Sequence, residues 1–253
     1  MEFISLGKTN CVASRTAFTV PLLSDSLNLD DAISLIRTEY ENGCNYFDAG
    51  LAGDERDRIL SYAFNEIRAE VHYIVHVSQS NPVMFRKEIE SRLSQLDTDY
   101  IDTVVLTGLD FVPYKGSEDG LFDVIKELQS EKKILSLAFS SDDIDLLKLA
   151  INSQNYECIA TQFNILSKEE LENIVKYADN LDVTVIAENP LCDGKIRDLP
   201  LAVGFLNSFE NVVGLWKLED KETINQVLYF SSTPPVIDTK FKEDVENLKV
   251  IFH

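Results

Sequence analysis

Short runs of β-branched and aromatic residues alternate with amphipathic stretches along this chain, and that alternation limits the fold more than any other feature. The runs fall at residues 16–20, 46–48, 73–78, 101–107, 134–139, 158–162, 183–187 and 212–216. Between them, apolar residues recur at three- and four-residue spacings, as in Ile33, Ile36 and Tyr40, and in Ile89, Leu93 and Leu96. A period of two followed by a period near 3.6 marks a strand followed by a helix, and its repetition predicts a parallel sheet with crossover helices. Eight such units in 253 residues predict closure into a (β/α)8 TIM barrel, for which about 250 residues is typical. A hairpin precedes the first unit, with strands at 3–6 and 11–13 and turn formers at 7–10. Ser167 with Glu170 reads as a capping box opening a helix through Leu171 and Tyr177. No linker, repeat or composition break divides the chain, so residues 1–253 are expected to form a single domain.

Charge and cysteine usage narrow the function classes. The net charge is -20, which disfavours nucleic acid and anionic membranes as partners and opposes any polyanionic ligand. No apolar run approaches the ~20 residues that span a bilayer, and the first eight residues lack a signal-peptide pattern, so a cytoplasmic location is expected. Cys11, Cys44, Cys158 and Cys192 are scattered, and His72, His76 and His253 show no metal-ligand spacing with them. Reduced thiols and no metal are expected.

The residues at the strand ends resemble one known family. The opening MEFISLGKTNCVASR, the Asn45-Tyr46-Phe47-Asp48 element and Arg92-Leu93-Ser94-Gln95-Leu96 followed by Thr98-Asp99-Tyr100-Ile101-Asp102 are similar to aldo-keto reductase motifs. So are Lys133-Ile134 with Phe139-Ser140-Ser141, Thr161-Gln162-Phe163-Asn164, and Pro190-Leu191 with Gly194. These pieces occur in the family's order over residues 1–194. The resemblance implies an aldo-keto reductase-like barrel with shortened loops.

That family reduces carbonyls with NAD(P)H, and a tyrosine whose pKa is lowered by a lysine–aspartate pair protonates the oxygen, while a histidine orients the substrate. The resemblance assigns the aspartate to Asp48. Ala52 or Gly53 stands where the tyrosine belongs, Ser78 or Val77 where the lysine belongs, and Thr107 where the histidine belongs. A free phenol has a pKa near 10 and is a poor acid at neutral pH without such a cation. His76 shares a strand face with Ser78 by period-two alternation; if that face points into the barrel, His76 reads either as a hydrogen-bonded core histidine, the commoner case, or as a substitute acid beside Asp48. Tyr46 reads as core.

Ser140, Ser141 and Gln162 match positions that bind the nicotinamide amide. Against a cofactor, Thr19 replaces a glycine where the backbone passes the ring, Glu188 replaces a stacking tyrosine, and the stretch 191–199 is short for a covering loop. Lys217 stands near the phosphate-binding end and reads as a solvated lysine. The expectation is therefore no retained cofactor, or NADP(H) if one is kept. The expected role is a barrel without reductase activity, acting as an accessory, regulatory or interaction subunit with a protein partner. The alternative is a divergent NAD(P)H-dependent oxidoreductase acting on a carbonyl. In that alternative a small molecule is expected at the mouth, lined by Asp48, His76, Ser78, Thr107, Asn164, Glu188 and Cys192.

Overall fold

The computed structural model describes residues 1–51, 54–218 and 220–252. A hairpin, β1 (Phe3–Ser5) and β2 (Val12–Ser14), precedes eight parallel strands that close on themselves. These are β3 (Thr16–Thr19), β4 (Tyr46–Asp48), β5 (His72–Val77), β6 (Ile101–Leu106), β7 (Ile134–Ser140), β8 (Cys158–Gln162), β9 (Thr184–Glu188) and β10 (Val212–Trp216). Closure is made by β10 against β3, with Gly214 opposite Thr16 and Trp216 opposite Phe18. The closed (β/α)8 barrel expected from the alternation is what forms.

The helices begin where side chains can cap them. Asn28 accepts from the Asp31 amide at the start of α1 (Leu29–Glu41). Asn81, followed by Pro82, caps α3 (Pro82–Gln95), and Asp143 caps α5 (Ile144–Ser153). Asp198 and Asp220 do the same for α7 (Leu199–Asn207) and α8 (Lys221–Ser232). Each such oxygen satisfies an amide that the helix leaves without a partner. The remaining helices are α2 (Asp54–Phe64), α4 (Leu121–Ser130), α6 (Glu169–Asp179) and α9 (Thr239–Phe252). The capping box expected at Ser167 does not form. Lys168 is the N-cap of α6, and the Ser167 hydroxyl instead accepts from the Asn164 amide. A tight turn after β8 outcompetes the cap for the same hydroxyl.

Two apolar shells follow from the pleat. Outward residues such as Phe47, Val75, Val104 and Phe139 pack against the helices. Inward residues, including Tyr46, Ile74, Val105, Ala138, Ile186 and Val213, fill the barrel, and Leu6 and Ala13 of the hairpin close its lower end. Tyr46 is fully buried and donates its hydroxyl to Thr103 Oγ1 at 2.7 Å, so it is core, as its position suggested. Thr103 in turn meets the Ser136 hydroxyl at 3.0 Å. These bonded hydroxyls let polar side chains occupy a water-free interior.

Candidate functional site

In such barrels the C-terminal strand ends carry chemistry, and here they enclose a cavity of about 190 Å³. Its walls include Thr19, Asp48, His76, Glu188, Leu215 and Lys217, from five different strands or the residues just after them. Asp48 ends β4 and is almost wholly buried. Its Oδ1 accepts from the Gly50 amide at 2.7 Å, and its Oδ2 accepts from the Thr19 hydroxyl at 3.0 Å. Thr19 thus holds the carboxylate, a role its position alone did not disclose.

The loop after Asp48 is braced from outside the barrel. Gly50 adopts φ +67°, a left-handed backbone conformation that favours glycine. The Gly50 carbonyl accepts from the His76 amide at 3.2 Å and from buried Arg92 at 3.2 Å. Arg92 is itself fixed by a bidentate pair with buried Asp57. One residue therefore joins the Asp48 strand to the His76 strand. Ala52 and Gly53, read as standing in the tyrosine's place, lie outside the described residues, as does His253.

His76 is 8% exposed and faces the interior on the same side of β5 as Ile74. Its Nδ1 lies 3.4 Å from Thr107 Oγ1. Its Nε2 lies 3.5 Å from Asp48 Oδ1 and has no hydrogen-bond partner. Glu188, at the end of β9, completes the group. Burial is the main influence pushing its carboxyl above the ordinary range; His76 opposes this, while Asp48 and Asp142 add to it.

Other expected mouth residues separate from this group. β5 ends at Val77, so Ser78 falls beyond the strand, exposed and away from the cavity walls. Val77 packs outward against the helices. Asn164 is buried and donates to the Asn189 carbonyl. Cys192, in the ten residues that join β9 to α7, is half-buried and does not line the cavity. Lys217 is exposed, as read, yet it rims the cavity.

Two of the three residues assigned to a nicotinamide amide are engaged locally. The Gln162 side chain donates to Asp142 Oδ2 at 3.2 Å and accepts from Asn189 Nδ2 at 3.3 Å. The Ser141 hydroxyl accepts from the Asp143 amide at 3.0 Å. Ser140 ends β7 and is half-buried. Asp142 and Asn189 were missed from sequence; the run of two aspartates directly after Ser140-Ser141 was the available signal.

A second polar group lies at the opposite end of β5. Asp102 accepts from His72 Nδ1 at 2.9 Å, from Arg68 Nη2 at 2.7 Å and from the Tyr73 amide at 2.9 Å. His72 Nε2 meets the Val12 carbonyl at 3.1 Å. Both ring nitrogens face acceptors, so the ring is an imidazolium. Burial works against that charge, but Asp102 and Cys11 outweigh it and raise the His72 pKa to about 10. Cys11, His72 and Asp102 form the one three-residue group among the described residues whose ligand atoms lie within 4.8 Å of one another. A doubly protonated ring has no lone pair for a metal, and Arg68 already neutralises the carboxylate. Sequence spacing did not foresee the cluster.

Comparison with known proteins places these features in context. The chain matches the Aldo/keto reductase family over residues 17–228. It is 24% identical over 213 residues to the aldo-keto reductase YhdN of Bacillus subtilis (strain 168), covering 77% of this chain and 63% of that protein. To the aldo-keto reductase AMT2 of Alternaria alternata it is 21% identical over 217 residues, covering 69% of this chain and 59% of that one. The chain thus spans about three fifths of the length of these curated relatives. Its fold is similar to the holo form of the aldo-keto reductase AKR11C1 from Bacillus halodurans. The TM-score is 0.84 at 16% identity, over 98% of this chain and 96% of that one.

Proposed function

Since the chain belongs to the Aldo/keto reductase family, we propose that it keeps the barrel but not the carbonyl-reducing chemistry, and acts as an accessory or regulatory subunit. The observation that carries this reading is the set of groups around Asp48. Carbonyl reduction needs a proton donor tuned for neutral pH beside the developing alkoxide. No tyrosine lines the cavity among the described residues, and neither Ala52 nor Gly53 can supply a phenol. Asp48 is held by a hydroxyl and an amide, and the one basic side chain within 4.0 Å of it among the described residues is the His76 imidazole.

The mouth also fits a dinucleotide poorly. The Gln162 amide is already bonded on both sides, and the Glu188 and Asp142 carboxylates add negative charge to a mouth that would have to admit a polyanion. The cavity volume of about 190 Å³ is below the ~300–1,000 Å³ usual for larger ligands. No described helix is long and apolar enough to cross a membrane, and the cytoplasm remains the proposed location. Titrating the protein with NADPH by fluorescence, alongside an aldehyde panel, tests the reading. No saturable binding up to millimolar nucleotide is expected. Turnover of any aldehyde that Asp48→Asn abolishes would overturn it.

A second reading has one observation in its favour. His76 Nε2, 3.5 Å from Asp48, is placed to serve as an acid in a divergent oxidoreductase. It predicts NADPH-dependent turnover lost in His76→Gln, which the same assay measures.

A further inference from the structure

The mouth contains an arrangement that protein atoms leave incomplete. In the tautomer that carries its proton on Nδ1, His76 donates toward Thr107 and presents the Nε2 lone pair to the cavity. Facing it at 3.5 Å is Asp48 Oδ1, also an acceptor, and Nε2 is buried without a hydrogen bond. Two buried acceptors side by side repel, and a buried polar atom without a partner is costly. Glu188 adds a third acceptor in the same wall. What such a set lacks is donors on a positive centre.

We propose that this cavity binds a small primary ammonium ion, its three N–H groups donating to Asp48, His76 and Glu188. The inference rests on the reading that the mouth no longer holds a dinucleotide. An ammonium head is compact and carries three donors and no acceptor, which matches acceptor atoms of three side chains on one cavity wall. A metal ion fits less well. Asp48, His76 and Glu188 do not bring ligand atoms within 4.8 Å of one another, whereas Cys11, His72 and Asp102 do. N–H donors reach acceptors at about 2.7–3.2 Å, longer than metal–ligand bonds near 2.0–2.2 Å. Leu51 and Leu215 give the remaining wall an apolar surface, suited to a short alkyl tail. Lys217 at the rim is the one lysine or arginine among the lining residues and would compete with the ligand's charge.

The test uses n-propylamine hydrochloride, with 1-propanol and propionate as neutral and anionic matches, titrated into the full chain by calorimetry and by histidine-detected NMR. Saturable binding of propylamine alone is expected, with the His76 ring resonances shifting and those of His72 unmoved. Glu188→Gln should weaken binding about tenfold, as loss of one charge-assisted hydrogen bond would. Lys217→Gln, an exposed change with no packing role, should strengthen it about threefold. Equal response to propanol, no response to propylamine, or unchanged affinity in both variants would overturn the inference. An NADPH arm separates the two readings. Nucleotide binding without amine binding overturns both, and absence of each overturns the ammonium site alone.

Discussion

Two histidines on one strand, four residues apart and next to opposite ends of the barrel, meet carboxylates in opposite ways. His72 lies 2.9 Å from Asp102, whose oxygens also take an arginine and a backbone amide. His76 lies 3.5 Å from Asp48 and leaves Nε2 without a partner. The lower group is complete and clamps the barrel floor to the hairpin through the Val12 carbonyl. The upper group is incomplete and opens on a cavity. A fold that satisfies one imidazole fully and strands another within the same strand separates stability from function along the barrel axis.

The largest test of that contrast compares two conservative changes. Asp102→Asn should cost about 3–5 kcal/mol, because it leaves a half-buried guanidinium and an imidazolium without their counter-charge. Asp48→Asn should cost about 1 kcal/mol or less. Its retained amide oxygen still accepts from Gly50, and the Thr19 hydroxyl can rotate to accept from the new amide. Midpoints of urea unfolding measure both. Equal losses would mean that the upper carboxylate is structural, and the division would fail.

How far the sequence discloses this division differs between its two halves. Period-two alternation tied the facing of His76 to that of Ser78 without fixing either, whereas β4, β8 and β10 match the expected runs at both ends, because buried parallel strands are written as local β-branched runs. The end of β5 was less legible. Hydrogen bonding stops at Val77, which left Ser78 exposed rather than inside the mouth. The lower cluster was not legible at all. The pairing of β5 with β6 and the packing of the hairpin beneath them bring Cys11, His72 and Asp102 together, contacts that no local spacing encodes. Thr19 was read as an obstruction by comparison with a family glycine, and only the register of β3 against β4, pairing it with Asp48, reveals it as a hydrogen-bond donor.

Titration gives an intermediate effect and sharpens the contrast. The His72 pKa rises from 6.5 to about 10 in the folded chain. A basic group whose folded pKa is raised stabilises fully below its unfolded pKa and loses that contribution as pH climbs through the folded value. Stability attributable to His72 should therefore be complete below pH 6.5 and decline toward about 10. The decline should amount to about 2–3 kcal/mol, less than full linkage because the ring is partly screened by solvent. Urea midpoints measured across this window should flatten in His72→Gln. An unchanged slope in that variant would assign the pH dependence elsewhere.

The smallest expected effect is the most diagnostic. Replacing a bonded imidazole by leucine should destabilise, and His72→Leu should do so strongly by leaving Asp102 Oδ1 without its donor while Oδ2 keeps Arg68 and the Tyr73 amide. His76→Leu removes a polar atom that has no partner and one long contact to Thr107. Removing an unsatisfied buried group for an apolar one of similar size is nearly neutral or stabilising, so unfolding free energy should stay within about 1 kcal/mol of the parent. If the cavity binds an ammonium ion, that same variant should lose the ligand while keeping its midpoint. A large loss of stability in His76→Leu would show that the imidazole supports the barrel in the way His72 does. The free Nε2 would then have no claim to be reserved for a ligand.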